Sequence, residues 1–151
     1  TANAAEASVS ASIEEENSYI SFQDEAYQNE FLRRVNNERA KAGLKPVQLG
    51  DSNHNSAAQE RAEEIATVNS HVRPNGTKWY TVLSEYGVTD AAAGENAAWG
   101  SVSPEEVVNA WMNSEGHRAN ILDPEARAMG VGYYYNSSST WGHQWIQLFT
   151  K

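Results

Sequence analysis

The sequence predicts an α+β domain in which helices cover both faces of a small, mainly antiparallel sheet. Three observations carry that prediction. Apolar residues recur at helical spacing through Leu122, with helix start and stop signals between the runs. The period then switches to two, where His143, Trp145, Gln147 and Phe149 alternate with Gln144, Ile146 and Leu148. Finally, 151 residues without a cysteine must be held by an apolar core rather than by a disulfide framework.

Residues 1–20 are rich in Ala, Ser and Glu, lack sustained periodicity, and read as a flexible acidic lead or linker ahead of a domain at 21–151. The small residues Ala2-Asn3-Ala4-Ala5 suit the end of a removed export signal, and a linker from another domain of a longer precursor fits equally well. Ser21 and Asp24 open the first helix, Tyr27, Phe31, Leu32 and Val35 give it an apolar face, and Gly43 stops it ahead of Lys45-Pro46. A second helix starts at Asp51 or Ser52. Its face of Ala57, Ala58, Ala62, Ile65 and Ala66 is small enough for close packing, and His54 on that side reads as a packed helix histidine rather than a ligand.

A third helix is expected from Thr77 to Tyr86, carrying Trp79, Tyr80 and Leu83, with Gly87 closing it; one short strand follows near Glu95. Ser103-Pro104-Glu105-Glu106 combines an N-cap serine, a proline at the first helical position and a glutamate at the third, the signature of a capping box. The fourth helix it opens should bury Val107, Val108, Ala110 and Trp111 and end between Ser114 and Gly116, with Arg118 to Leu122 adding a turn before Asp123-Pro124. Met129–Tyr135 and Trp141–Phe149, joined by Asn136-Ser137-Ser138-Ser139-Thr140, form the hairpin. Gly130-Val131-Gly132 lacks the rest of a dinucleotide fingerprint and marks close backbone packing in a strand.

Composition removes several function classes. The formal charge is −9, but residues 1–26 hold Glu6, Glu14, Glu15, Glu16, Asp24 and Glu25 with no Lys or Arg, and the remainder has 14 acids against 11 bases. With a pI near 4.8 and no basic stripe, nucleic acid is not a partner. No run of about 18 apolar residues exists, so no membrane span is expected. The absence of cysteine excludes a thiolate zinc site and a cysteine nucleophile. There is no His-Glu-x-x-His helix, no phosphate loop and no Gly-x-Ser-x-Gly elbow.

What remains is dispersed. His71 follows the second helix on a loop disciplined by Pro74-Asn75-Gly76, Glu95 follows a glycine, and His117 lies in Trp111–Leu122, a stretch dense in polar groups. Two imidazoles and a carboxylate could bind a divalent metal such as zinc while leaving open positions. Ser114, Arg118 and Asn120 would line the same cleft. Plainer readings stand beside this one: Glu95 as an exposed loop acid, and His117 as a histidine bonding the free carbonyls at a helix C-terminus.

Taken together, Ser70-His71-Val72-Arg73-Pro74-Asn75-Gly76, Gly94-Glu95-Asn96, Trp111-Met112-Asn113-Ser114, Gly116-His117-Arg118-Ala119-Asn120-Ile121-Leu122, Gly130-Val131-Gly132 and Trp145-Ile146-Gln147-Leu148-Phe149 resemble the bacterial branch of the CAP superfamily. That is the family of cysteine-rich secretory proteins, antigen 5 and pathogenesis-related proteins, or SCP domain, and the resemblance runs from Tyr27 to Lys151. It implies an α-β-α sandwich, export from the cell and a central cleft that in the eukaryotic branch holds two histidines and two glutamates able to bind zinc. His71 matches the first histidine and Glu95 the first glutamate. Ser114 stands where the second glutamate belongs, and His117 corresponds to the second histidine by order, with Arg118-Ala119-Asn120 replacing the residues that usually follow.

Three functional readings result. The first is a secreted or envelope-associated, non-enzymatic binding module whose partner is a protein, a cell-wall component or a lipid. The second is a metal-dependent hydrolase using His71, Glu95 and His117. The third is a small-lipid binder, which would need an apolar groove.

Overall fold

The computed structural model describes residues 26–151, so the predicted helix start at Ser21 and Asp24 and the acidic lead lie outside the described residues. Helix α1 spans residues 26–41, where Phe31 and Val35 are fully buried and Tyr27 and Leu32 pack against them. Gly43, at φ 74°, ends it in the left-handed conformation that glycine adopts without steric cost. Strand β1 (Gln48–Leu49) precedes α2 (Ser52–Ile65), whose N-cap Asp51 accepts a hydrogen bond from the His54 amide at 2.9 Å. Then follow α3 (Thr81–Glu85), β2 (Ala92–Trp99), α4 (Pro104–Met112), α5 (Glu115–Ile121), β3 (Ala128–Tyr135) and β4 (His143–Thr150).

The strands form one sheet in the order β1–β3–β4–β2, with only the β1–β3 pair parallel. Alternation along β4 divides the core. Trp145 and Phe149 join Phe31, Val35, Val107, Val108, Trp111 and Ile121 on the side of α1, α4 and α5. Ile146 and Leu148 face Ala57, Ala58, Ala62 and Ile65 of α2 and Val82 and Leu83 of α3. Helices therefore cover both faces, giving the expected α-β-α sandwich. Each fully buried Val, Leu, Ile or Phe contributes roughly 1.5–3 kcal/mol of apolar transfer.

The glycine pair in β3 explains how close α2 lies. A Cβ on Gly132 would collide with the Ala58 carbonyl, and one on Gly130 would stand 2.8 Å from the His54 carbonyl oxygen. His54 itself is 3% exposed and its Nε2 lies 2.9 Å from the Leu148 carbonyl oxygen, which makes it the packed histidine expected.

Unpaired strand edges are closed by side chains. Beyond the two-residue β1, the β3 backbone meets α2: Val131 N–H donates to Asn55 Oδ1 at 3.1 Å, and Tyr133 exchanges two bonds with the Gln59 amide at 2.7 and 3.0 Å. On β2, Trp111 Nε1 donates to the Ala97 carbonyl at 3.0 Å and Asn120 Nδ2 to the Glu95 carbonyl at 3.3 Å. Closing both edges this way denies them to other strands. Buried Arg39 of α1 extends the same logic, donating to the Lys45, Ile121 and Asp123 carbonyls at 2.7–2.8 Å and so capping the end of α5.

Four expectations change. The third helix is only Thr81–Glu85. Residues 71–79 instead make a tight turn closed by a Val72–Lys78 bridge and by Arg73 N–H to Thr77 C=O at 2.7 Å, so Tyr80 is exposed. Ala110 is exposed, and Pro104 takes its place on the buried side of α4. The strand around Glu95 is eight residues long rather than short. Gly116 does not end a helix: α4 stops at Met112, and Gly116 lies inside α5 with open space around it.

Candidate functional site

The site is built on β2. Glu95 pairs with Leu148 of β4 and so points to the α2 face, while Asn96 pairs with Gln147 and points to the opposite one. The Glu95 side chain is 0% exposed. A buried carboxylate needs a partner, and α2 supplies it: Arg61 Nε donates to Oε2 at 2.7 Å and Nη2 to Oε1 at 2.9 Å. This is the planar, bidentate pairing in which arginine and carboxylate match best. Arg61 is itself fully buried, and its remaining bonds run to Glu64 Oε1 and the Ser70 carbonyl, both at 2.9 Å. Burial alone would lower the Arg61 pKa, but the hydrogen bonds and charges of Glu95 and Glu64 together outweigh it and raise it.

Glu64 continues the chain of charges to Arg73 at 2.9 Å, and Arg73 reaches Glu85 at 2.8 Å. Burial pushes the Glu64 carboxyl upward, and the two arginines more than reverse it. These pairs fix the loop between α2 and α3 on which His71 stands. Trp79 N–H donates to the His71 carbonyl at 2.9 Å, holding the loop from its other arm. The His71 imidazole is 60% exposed, yet its Nδ1 lies 2.8 Å from Glu95 Oε1, so it donates to a carboxylate already anchored from behind. That bond raises the His71 pKa, with burial and the charge of Arg61 opposing it.

His117 approaches from α5. The expectation that it serves the C-terminal carbonyls of a helix is overturned: it lies in the first turn of α5, two residues after Glu115. Its Nδ1 is 2.9 Å from Ser114 Oγ, and its backbone carbonyl accepts from Asn96 Nδ2 at 3.1 Å. Burial lowers its pKa and the charge of His71 lowers it further. Asn120 Nδ2 donates to Asn96 Oδ1 at 2.9 Å, and Asn96 Nδ2 donates also to Gln147 Oε1 at 3.1 Å. Gly94 is required here, since a Cβ on it would stand 2.6 Å from Asn120 Oδ1. Arg118 is exposed.

The structure thus brings His71 and Glu95 into contact, pairs His117 with Ser114 at the start of α5, and makes Asn120 a brace between α5 and β2. Glu95 is not an exposed loop acid. Arg61 had no role in the sequence reading, although its position was telling. An arginine between Ala57, Ala58, Ala62 and Ile65 lies on the buried face of α2 and needs acceptors there. An open concavity of about 820 Å³ lies elsewhere, between Lys45, Leu49, Glu125, Arg127 and Lys151, at the β1 side of the sheet.

The Glu95 carboxylate does not fit a divalent metal as it stands. Both Glu95 oxygens accept from Arg61, one of them also from His71, and Ser114 offers a hydroxyl where a second acid would serve. Among the described residues no group of three or more His, Cys, Asp or Glu side chains could hold a metal ion.

Fold and site together define a small α-β-α sandwich with a histidine–glutamate cluster at one sheet edge. The chain belongs to the cysteine-rich secretory protein (CAP) family, which it matches over residues 32–149. It is 41% identical over 123 residues to the uncharacterized protein YkwD of Bacillus subtilis (strain 168), covering 80% of this chain and 47% of that protein. Among solved structures it is similar to an extracellular protein containing a SCP domain from Bacillus anthracis str. Ames, with TM-score 0.71 and 25% identity, over 82% of this chain and 39% of that one. An outer surface protein of Borrelia burgdorferi shares the fold, with TM-score 0.70 and 20% identity, over 87% and 94% of the two chains. The chain spans about half the length of YkwD. No helix among the described residues is long and apolar enough to cross a membrane.

Proposed function

We propose that this domain is a non-enzymatic binding module working outside the cell or at its envelope, and that His71, His117 and Ser114 meet the ligand. One observation carries the reading. The His71 imidazole is 60% exposed, yet it is held from behind by a carboxylate–guanidinium pair with no exposure at all. A solvent-facing group locked by buried support is preorganised for contact. Support for the location comes from the relatives, one described as extracellular and one as an outer surface protein. Binding is favoured over hydrolysis because Glu95, the one acid of the cluster, is engaged by Arg61 and His71 rather than facing a water.

The test is co-sedimentation of the protein with purified bacterial cell walls and, separately, with anionic lipid vesicles. His71→Ala and His117→Ala are compared with the parent. Binding to one of the two that falls at least tenfold in His71→Ala is the expected result. Because the Ser114–His117 contact at 2.9 Å pairs a hydroxyl with a potential base, hydrolysis of model esters and peptides is assayed alongside, with and without zinc. Turnover that disappears in His117→Ala would replace the binding reading with the hydrolase one.

A further inference from the structure

We infer that Arg61 is the resident cation of this site, so that Glu95 is the counter-ion of an arginine and not a ligand for metal. The family resemblance puts a metal-binding carboxylate at Glu95, and the geometry here assigns that carboxylate differently. An ionised carboxylate offers about four lone-pair directions. Arg61 Nε takes one on Oε2, and Arg61 Nη2 and His71 Nδ1 take two on Oε1, all between 2.7 and 2.9 Å. The side chains of both Glu95 and Arg61 have no exposure, so solvent does not touch the remaining lone pair.

The guanidinium cannot step aside or lose its charge. An arginine stays protonated in any protein environment, and Arg61 is also tied to Glu64 and to the Ser70 carbonyl at 2.9 Å each. Its removal would leave Glu64 and Glu95 facing a shared gap in the α2 surface. Positive charge therefore already sits where a divalent ion would have to come, and a second cation there meets repulsion. What stays open to a metal is the exposed edge of His71 and the half-buried His117, two imidazoles without a carboxylate. The inference stands apart from the binding reading above, since a ligand can use His71 whichever cation Glu95 serves.

Two measurements on the full chain decide it. In the first, the Arg61 Nε–H resonance is identified by through-bond NMR correlation and followed as zinc is added; it is expected to stay where it is. In the second, zinc uptake by calorimetry is compared between His71→Ala and His71→Ala/Glu95→Gln, a background in which Glu95 has no His71 imidazole to support. The expected outcome is no uptake, or uptake that is the same in the two variants. One-to-one zinc uptake that displaces the Arg61 signal would overturn the inference. So would uptake in His71→Ala that Glu95→Gln weakens, because there the loss marks a direct ligand rather than a supporting group. Should Glu95→Gln fail to fold, the Arg61 signal of the parent decides alone.

Discussion

Removing both partners of the Arg61–Glu95 pair should cost less than the sum of removing each alone. In Arg61→Met the apolar stem is kept and the guanidinium goes, so Glu95 is left fully buried with only the His71 bond at 2.8 Å. Removing one partner of a buried ion pair typically costs about 3–5 kcal/mol, because the other charge stays desolvated and unpaired. Glu95→Gln is milder. The amide oxygen can still accept from Arg61, whose charge keeps Glu64 at 2.9 Å, so a loss of roughly 1–3 kcal/mol is expected. The double variant Arg61→Met/Glu95→Gln leaves no unpaired charge between the two positions and should cost clearly less than the two singles together. The natural assay is urea unfolding followed by tryptophan fluorescence, since Trp111 and Trp145 are buried in the core. If the two single losses simply added in the double variant, the pair would not be coupled, and the account of Arg61 as the anchor of Glu95 would fail.

The three histidines with shifted pKa values should separate in an NMR pH titration: His71 above the ordinary histidine value, His117 and His54 below it. The reverse order would contradict the geometry. Because Glu95 raises His71, the stabilisation from charged His71 is complete below the unfolded-state pKa of about 6.5 and disappears as pH rises through the higher folded value. The melting-temperature difference between parent and His71→Gln should therefore be largest at acid pH and shrink above neutrality, and a difference that does not vary with pH would argue against the Glu95 bond. His117→Ala should lose about 1 kcal/mol through the bond to Ser114 at the start of α5, a value at which an unchanged melting temperature speaks against that contact. The glycines should split: Gly132→Ala overpacks against Ala58 and should cost about 1–3 kcal/mol, whereas Gly116→Ala, in open space inside α5, should stabilise by up to about 1 kcal/mol in thermal melts.

Features set by neighbours in sequence were legible. Asp51 caps α2 as its position suggested, and Ser103 accepts from Glu106 N–H at 3.3 Å while Glu106 returns a bond to Val102 N–H at 3.0 Å. The period-two run of β4 assigned both of its faces, because a strand in mid-sheet must match two different layers. Glu95 was not legible for the opposite reason. Its burial is licensed by an arginine 34 residues away, and nothing beside it in sequence marks it as paired. His117 was misplaced because Gly116 looked like a helix stop. Glycine ends helices mainly by adopting positive φ, whereas Gly116 is absent from the positive-φ set that holds Gly43, Gly76, Gly87, Gly100 and Gly142.

Strand β2 explains why one short motif can both identify the family and say little about what its members do. Consecutive residues of a strand point to opposite faces, so Glu95 and Asn96 reach into two different layers from adjacent positions. Glu95 locks the α2 side through Arg61, and Asn96 locks the α5 side through Asn120 and the His117 carbonyl. The strand backbone at Glu95 and Ala97 is sealed by Asn120 and Trp111, which flank Ser114 and His117 in sequence. A change at Gly94, Glu95, Asn96, Trp111 or Asn120 would therefore disturb helix–sheet contacts before it touched any ligand. His71, Ser114 and Arg118 bear much less of that structural load, being exposed or half-exposed at the rim. On the binding reading proposed above, ligand preference can vary at those positions while the braced strand beneath them stays the same, since a fold does not by itself fix a function.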